Sequence, residues 1–173
     1  MKITSSGAGT KGARLTVSYA GDFDVIAVPM YIQENTSAES TLVTSPFLAV
    51  GDADGEGHYV YVSRGGILFN IARVHSATTS NWSGGTSANT NCYYGWPPVL
   101  RICRTSGTVY ITAGELGSSL FGALATRVPA TGDGWFVVTT DVDAATMDVV
   151  SLGGLFTSGN AASVYWAFLR RFA

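Results

Sequence analysis

Residues 98–113 read as strand, turn, strand, and this stretch most constrains what the chain can fold into. In Val99-Leu100-Arg101-Ile102-Cys103-Arg104, extended geometry puts Leu100 and Ile102 on one face and Arg101 on the other. Thr105-Ser106-Gly107 supplies a turn, and Val109 and Ile111 share a face in the segment that follows. Side chains alternate along a strand, so period-two patterning around a glycine turn signals a β-hairpin. The same alternation recurs through the chain with almost no competing helical spacing.

Residues 14–19 set Leu15, Val17 and Tyr19 against Arg14, Thr16 and Ser18. Residues 24–32 are apolar and β-branched but include Pro29, which cannot donate to a ladder and so predicts a bulge or an edge position. Residues 42–50 are extended, with Pro46 as a candidate break, and residues 59–63 and 67–74 flank an Arg64-Gly65-Gly66 turn. Segments 135–140, 147–152 and 164–169 complete the set. Leu116, Leu120 and Leu124 have helical spacing, but Gly117 and Gly122 restrict 115–125 to at most one short helix. About ten short strands separated by glycine turns predict an all-β fold, a sandwich or a barrel. The Gly/Ser/Thr-rich residues 1–12 are predicted as a flexible N-terminal arm, and 13–173 as a single sandwich domain.

The chain has 173 residues, which suits one domain. Charged residues make up 13%, against about 25% in ordinary domains. A surface so poor in charge either lies hidden in an assembly or is built from uncharged Ser, Thr, Asn and Gly. The net charge is −2 and the lysines are Lys2 and Lys11, so no basic stripe offers itself to nucleic acid. No apolar run is long enough to span a membrane, and Met1-Lys2-Ile3-Thr4-Ser5-Ser6-Gly7 lacks the apolar core of a signal peptide. The expectation is a protein assembled in a host cytoplasm, with no membrane insertion. Cys92 and Cys103 are too few for a disulfide scaffold. Cys103 is expected as a small buried hydrophobe, with a bridge to Cys92 as the alternative.

Beyond single strands, the order of segments carries a resemblance. Residues 45–74 run strand, acidic glycine turn, strand, Gly-Gly turn, strand. Residues 99–113 supply a Leu-Arg-Ile-x-Arg strand, a glycine turn and a Val-Tyr-Ile strand. Residues 137–150 join two strands through an Asp-rich turn, and 164–169 close the set. From Phe47 to Phe172 this resembles the concanavalin A-like, laminin-G-like jelly roll in its bacterial and phage-borne forms. The resemblance implies an antiparallel two-sheet β-sandwich of jelly-roll type, lectin-like, whose relatives are commonly glycan-binding or adhesive modules, some of them glycosidases.

Residues that could carry chemistry are sparse. Asp52-Ala53-Asp54-Gly55-Glu56 has calcium-like spacing but no distal bidentate Glu, and reads as a solvated turn. Gly7-Ala8-Gly9-Thr10-Lys11-Gly12 matches a dinucleotide pattern but leads into a strand, where that motif does not function. The acidic run 52–56 is too glycine-rich for the Glu-x-Asp-x-x-Glu strand of jelly-roll glycosidases, and Glu115 and Asp133 stand alone. No Gly-x-Ser-x-Gly elbow exists, and two histidines, His58 and His75, support neither a triad nor a zinc site. No enzyme, no metal and no cofactor are expected. Arg170 and Arg171 are neighbours on a strand and so face opposite ways.

The long polar segment 75–98 is the candidate site. Its aromatic residues Trp82, Tyr93, Tyr94 and Trp96, with Asn81 and Asn91, are the expected ligand-binding set. Aromatic faces with polar edges, set among adaptable amides, suit a sugar ring or a protein partner. The alternative is a plug for one end of the sandwich, with Trp96-Pro97-Pro98 as its rigid part. Together these features predict a non-enzymatic bacteriophage virion protein (tail, fibre, baseplate or capsid decoration) contacting host-surface glycan. Its partners would be other virion proteins and copies of itself. A carbohydrate-binding module of a secreted carbohydrate-active protein is the alternative, and a jelly-roll glycosidase the second.

Overall fold

The computed structural model describes residues 1–5, 9–34, 44–52, 57–65, 68–75, 87–92, 98–115, 135–142, 144–156 and 162–172. The elements among them are strands: β1 (Lys2–Ser5), β2 (Gly9–Tyr19), β3 (Phe23–Glu34), β4 (Thr44–Gly51), β5 (Gly57–Gly65) and β6 (Leu68–His75). They continue with β7 (Ser87–Cys92), β8 (Pro98–Thr105), β9 (Thr108–Glu115), β10 (Trp135–Val142), β11 (Met147–Phe156) and β12 (Ala162–Phe172). They form two six-stranded antiparallel sheets, β1-β12-β3-β8-β9-β10 and β2-β11-β4-β5-β6-β7. The fold is all-β, as the alternation predicts, and of the sandwich and the barrel it is the two-sheet antiparallel sandwich. The 115–125 segment read as a short helix lies outside the described residues beyond Glu115.

The sheets stack through the apolar positions that period-two patterning marks. Val25, Leu100, Ile102, Val109 and Ile111 from the first sheet and Leu48, Val60, Val150 and Leu152 from the second are buried in one core. Removing water from this area is the dominant favourable term in folding. The β8–β9 hairpin closes through Ser106 at φ 51° and Gly107 at φ 79°. Two consecutive positive φ angles match the right-handed twist of the flanking strands, which is why glycine sits in this turn.

Three expectations need correction. Residues 1–12, read as an arm, are built into both sheets at their described positions. Lys2–Ser5 pairs with Ala162–Tyr165, and Gly9–Gly12 pairs with Gly153–Phe156. Ile3 and Ser5 are buried while Lys2 and Thr4 are exposed, an alternation too short to register as a strand in sequence. Thr4 Oγ1 and Ser163 Oγ share a hydrogen bond of 3.0 Å across this pairing.

The second correction concerns 75–98, read as irregular throughout. It contains β7, which pairs with β6 at the outer side of its sheet. Ser-Ala-Asn-Thr-Asn-Cys has no apolar alternation, because an outermost strand need not bury one face. The third concerns proline. Of the bulge or edge expected at Pro29, the bulge forms and the edge does not, since β3 lies between β12 and β8. Instead the β12 register shifts on both sides of Trp166, which pairs with Pro29, and the β8 ladder ends at Ala27. Pro46 does not break β4: it pairs with Gly154, just beyond the last β5 partner, Phe47.

Candidate functional site

The face of the second sheet turned away from the core carries an aromatic cluster. Leu48, Val50 and Val60 belong to the core, so Phe47, Ala49, Tyr59 and Tyr61 fall on the opposite face. Phe47 pairs with Tyr61 and Ala49 with Tyr59 across β4 and β5. The two tyrosine rings stack at 5.7 Å between centroids and 23° between planes. Tyr59 is buried and Tyr61 partly buried. Burial pushes the Tyr59 phenol well above its ordinary value, and the Tyr61 phenol beside it adds to the shift. Burial also raises Tyr61. Both stay protonated at neutral pH; Phe47 and Tyr59 are 2% and 3% exposed, so the ring that reaches solvent is that of Tyr61, backed by the other two and carrying a hydroxyl donor and acceptor.

Backbone register extends this face toward β7. Tyr61 is followed across the sheet by Ala72 and Asn89, and Ser63 by Asn70 and Asn91. Asn91, one of the expected ligand-binding residues, therefore occupies a described strand in the rank of Asn70. Trp82, Tyr93, Tyr94, Trp96 and Asn81 lie outside the described residues. Sequence reading missed Tyr59 and Tyr61, although Tyr59-Val60-Tyr61 already sets two rings opposite one apolar residue.

Behind Phe47 the sheet is smooth. A Cβ on Gly153 would come within 2.5 Å of the Phe47 ring, so the ring lies flat over the glycine backbone.

The outward face of the first sheet is of another kind. Ile26, Arg101 and Thr112 occupy one rank across β3, β8 and β9, with Asp24 and Cys103 in the next. Arg101 binds Asp24 through two parallel hydrogen bonds, Nε to Oδ1 at 2.8 Å and Nη2 to Oδ2 at 2.9 Å. Thr112 donates to the Arg101 carbonyl at 3.3 Å. Cys103 is a buried thiol on β8, whereas Cys92 belongs to the other sheet. Burial pushes this thiol up to about 12, with Arg101 lowering it and Asp24 raising it further. On the inner face of β8, Arg104 donates to the carbonyls of Tyr19, Gly21 and Ala145, and lies 5.1 Å from the Phe23 ring centroid. These partners make Arg104 a tie between the β2–β3 and β10–β11 connections.

Acidic side chains at this end have structural partners. Asp24 holds Arg101, and Asp22 accepts the Ser106 backbone N–H at 2.8 Å. Of the calcium-like run, Asp52 is described and residues 53–56 are not.

No protein-family model and no curated protein matches this chain. Solved structures do share its fold. A functionally unknown protein from Saccharomyces cerevisiae matches at TM-score 0.50 and 12% identity, over 94% of this chain and 73% of that one. Bacteroides ovatus xyloglucan PUL GH43B matches at TM-score 0.53 and 9% identity, over 95% of this chain and 33% of that one. Rv0315, a pseudo beta-1,3-glucanase of Mycobacterium tuberculosis, matches at TM-score 0.40 and 14% identity, over 95% and 67%. The first two define the class of fold, a two-sheet antiparallel β-sandwich. This chain spans a third of the Bacteroides protein, so there the fold is one part of a larger chain.

Proposed function

We propose that this chain is a non-catalytic glycan-contacting β-sandwich, a module that binds saccharide through the outward face of its second sheet. The carrying observation is the stacked Tyr59–Tyr61 pair on that face, with Asn70 of β6 and Asn89 and Asn91 of β7 at the register positions across the sheet from Tyr61 and Ser63. A sugar ring presents an apolar face and a rim of hydroxyls, and is recognised by aromatic faces with a few placed polar groups. In this reading the contacts expected from sequence, Asn91 with Trp82, Tyr93, Tyr94, Trp96 and Asn81, remain candidates for the same saccharide. The setting proposed is a phage virion, where a lectin-like fold contacts host-surface glycan and a charge-poor surface packs against other virion proteins. The alternative, a carbohydrate-binding module within a larger carbohydrate-active protein, draws support from the match to one third of the GH43B protein.

The test is affinity electrophoresis and calorimetry on the purified chain against xyloglucan, β-glucans and bacterial surface polysaccharides. The expected result is retardation by at least one polysaccharide, lost in Tyr61→Ala, with no reducing sugar released. Binding unchanged in Tyr61→Ala removes the site, and release of reducing sugar removes the non-catalytic reading. Electron microscopy of particles with an antibody to this chain checks the virion setting.

A further inference from the structure

One side of the sandwich is open. β1 and β2 are the outermost strands of their sheets on the same side, and β1 is 4 residues long against 11 for β2. Beyond β1, a cleft of about 390 Å³ runs between the sheets, lined by Met1, Ala13, Leu15, Val150, Leu152 and Trp166, with Arg14 and Ala167 at the same site. Leu15 pairs with Val150 and Ala13 with Leu152, so both belong to the core-facing side of β2. Even so, Leu15 is 42% exposed and Met1 55%. Two of the four exposed large hydrophobics among the described residues thus border one cleft. Its volume lies within the range of small-molecule sites.

Arg14 is the charged residue among those lining the cleft, and Lys2, whose ammonium lies over the Tyr165 ring, and Lys11 belong to the same two edge strands. Residues 1–21 contain Lys2, Lys11 and Arg14 and no Asp or Glu, in a chain whose net charge is −2. Lys2, Lys11 and Arg14 are all exposed. The same cations oppose pairing of two β2 edges, because like charges would meet across the new ladder. An apolar slot whose described lining includes one cation, Arg14, and no acid selects an occupant with an apolar tail and an anionic head.

We infer that this cleft binds a single-chain anionic amphiphile, an alkyl carboxylate of medium length. Its tail lies over Trp166, Val150 and Leu152 between the sheets, and its carboxylate remains at the rim beside Arg14. This site is separate from the tyrosine face, so it stands or falls independently of the glycan reading.

Calorimetry of the full chain with decanoate tests it, with decanol as the neutral control. Decanoate binds saturably to the wild type. Ala13→Trp, which fills the cleft from an exposed position, abolishes the binding, and circular dichroism verifies its fold. Leu15→Gln, which makes the mouth polar, serves as the second variant and also weakens it. Arg14→Glu weakens decanoate by about threefold, the scale of an exposed ion pair, and leaves decanol unchanged. Absence of saturable binding to the wild type overturns the inference, as does full binding by folded Ala13→Trp. So does self-association in sedimentation that decanoate does not disperse and Ala13→Trp abolishes, because then a second copy covers the cleft. Pelleting with anionic vesicles without binding of monomeric decanoate overturns it in favour of a membrane surface.

Discussion

Two arginines on β8 face opposite sides of one sheet, and both are buried. Arg101 is 0% exposed on the face turned away from the core, and Arg104 is 2% exposed between the sheets. Their charges are met in different ways. Arg101 has a carboxylate, Asp24, in a two-point ion pair. Arg104 has the carbonyl dipoles of Tyr19, Gly21 and Ala145 and the face of Phe23. The first arrangement concentrates its electrostatics in one partner, and the second spreads it over two connections. Alternation tells which face a strand residue takes, but whether that face is wet is set by what packs on it.

The largest expected effect comes from breaking the concentrated pair. Asp24→Ala leaves the Arg101 charge buried without its carboxylate, and is expected to cost about 3–5 kcal/mol in urea unfolding. Arg101→Met is expected to cost about half as much, because Asp24 keeps 19% of its side-chain surface in water and can rehydrate. If the two single variants cost the same, burial does not govern the pair. Arg104→Met comes next, at about 2 kcal/mol, the scale of hydrogen bonds from a charged donor. Its loss is smaller than that of Asp24→Ala because Gly21 and Ala145 are exposed and water can take over their carbonyls. A cost for Arg104→Met above that for Asp24→Ala reverses the comparison.

A smaller effect separates the network from the turn beside it. Gly107 follows Thr105 and Ser106 at the end of β8 and has φ 79° with open space around it. Gly107→Ala meets no atom, so its cost is backbone strain alone, about 1 kcal/mol. Thermal unfolding should show that cost unchanged in an Arg104→Met background if backbone strain in the turn and the side-chain bonds of Arg104 are separate mechanisms despite their proximity. Strong coupling would mean that the turn and Arg104 act as one unit.

How much of this was legible follows from what each residue does. The β8–β9 hairpin is readable because Leu100, Ile102, Val109 and Ile111 bury one face and a glycine closes the turn. β7 is not readable, because Ser87–Cys92 lies outermost in its sheet and carries no apolar signal. β1 escapes notice because four residues allow only two alternations, and its partner Ala162–Tyr165 is at the far end of the chain. Arg101 is placed on its correct face by sequence, but its partner Asp24 is 77 residues away and nothing local announces it. The tyrosine face is visible as Tyr59-Val60-Tyr61, yet attention to aromatic density favours the polar segment that carries Trp82 and Trp96.

At neutral pH the smallest effect is that of Cys103, which shares the outward face with Arg101 and Asp24 and shows itself only in alkali. Burial lifts its thiol from 9.0 to about 12, Arg101 opposes the lift, and Asp24 adds to it. The folded value lies above the unfolded one, so the neutral thiol is the form the fold favours. Its stabilising contribution is complete below the unfolded value of 9.0 and is lost as pH rises toward about 12. The unfolding midpoint of the wild type should therefore fall more steeply with pH over that window than that of Cys103→Ala. The tyrosine phenols titrate equally in both proteins and cancel in the difference. Asp24→Asn sharpens the reading, since it removes the carboxylate that raises the thiol and leaves Arg101 to lower it. Alkylation of Cys103 in that variant should begin at lower pH than in the wild type. An onset that does not move would mean that the Asp24 charge has no hold on the thiol, and that Cys103 senses burial alone.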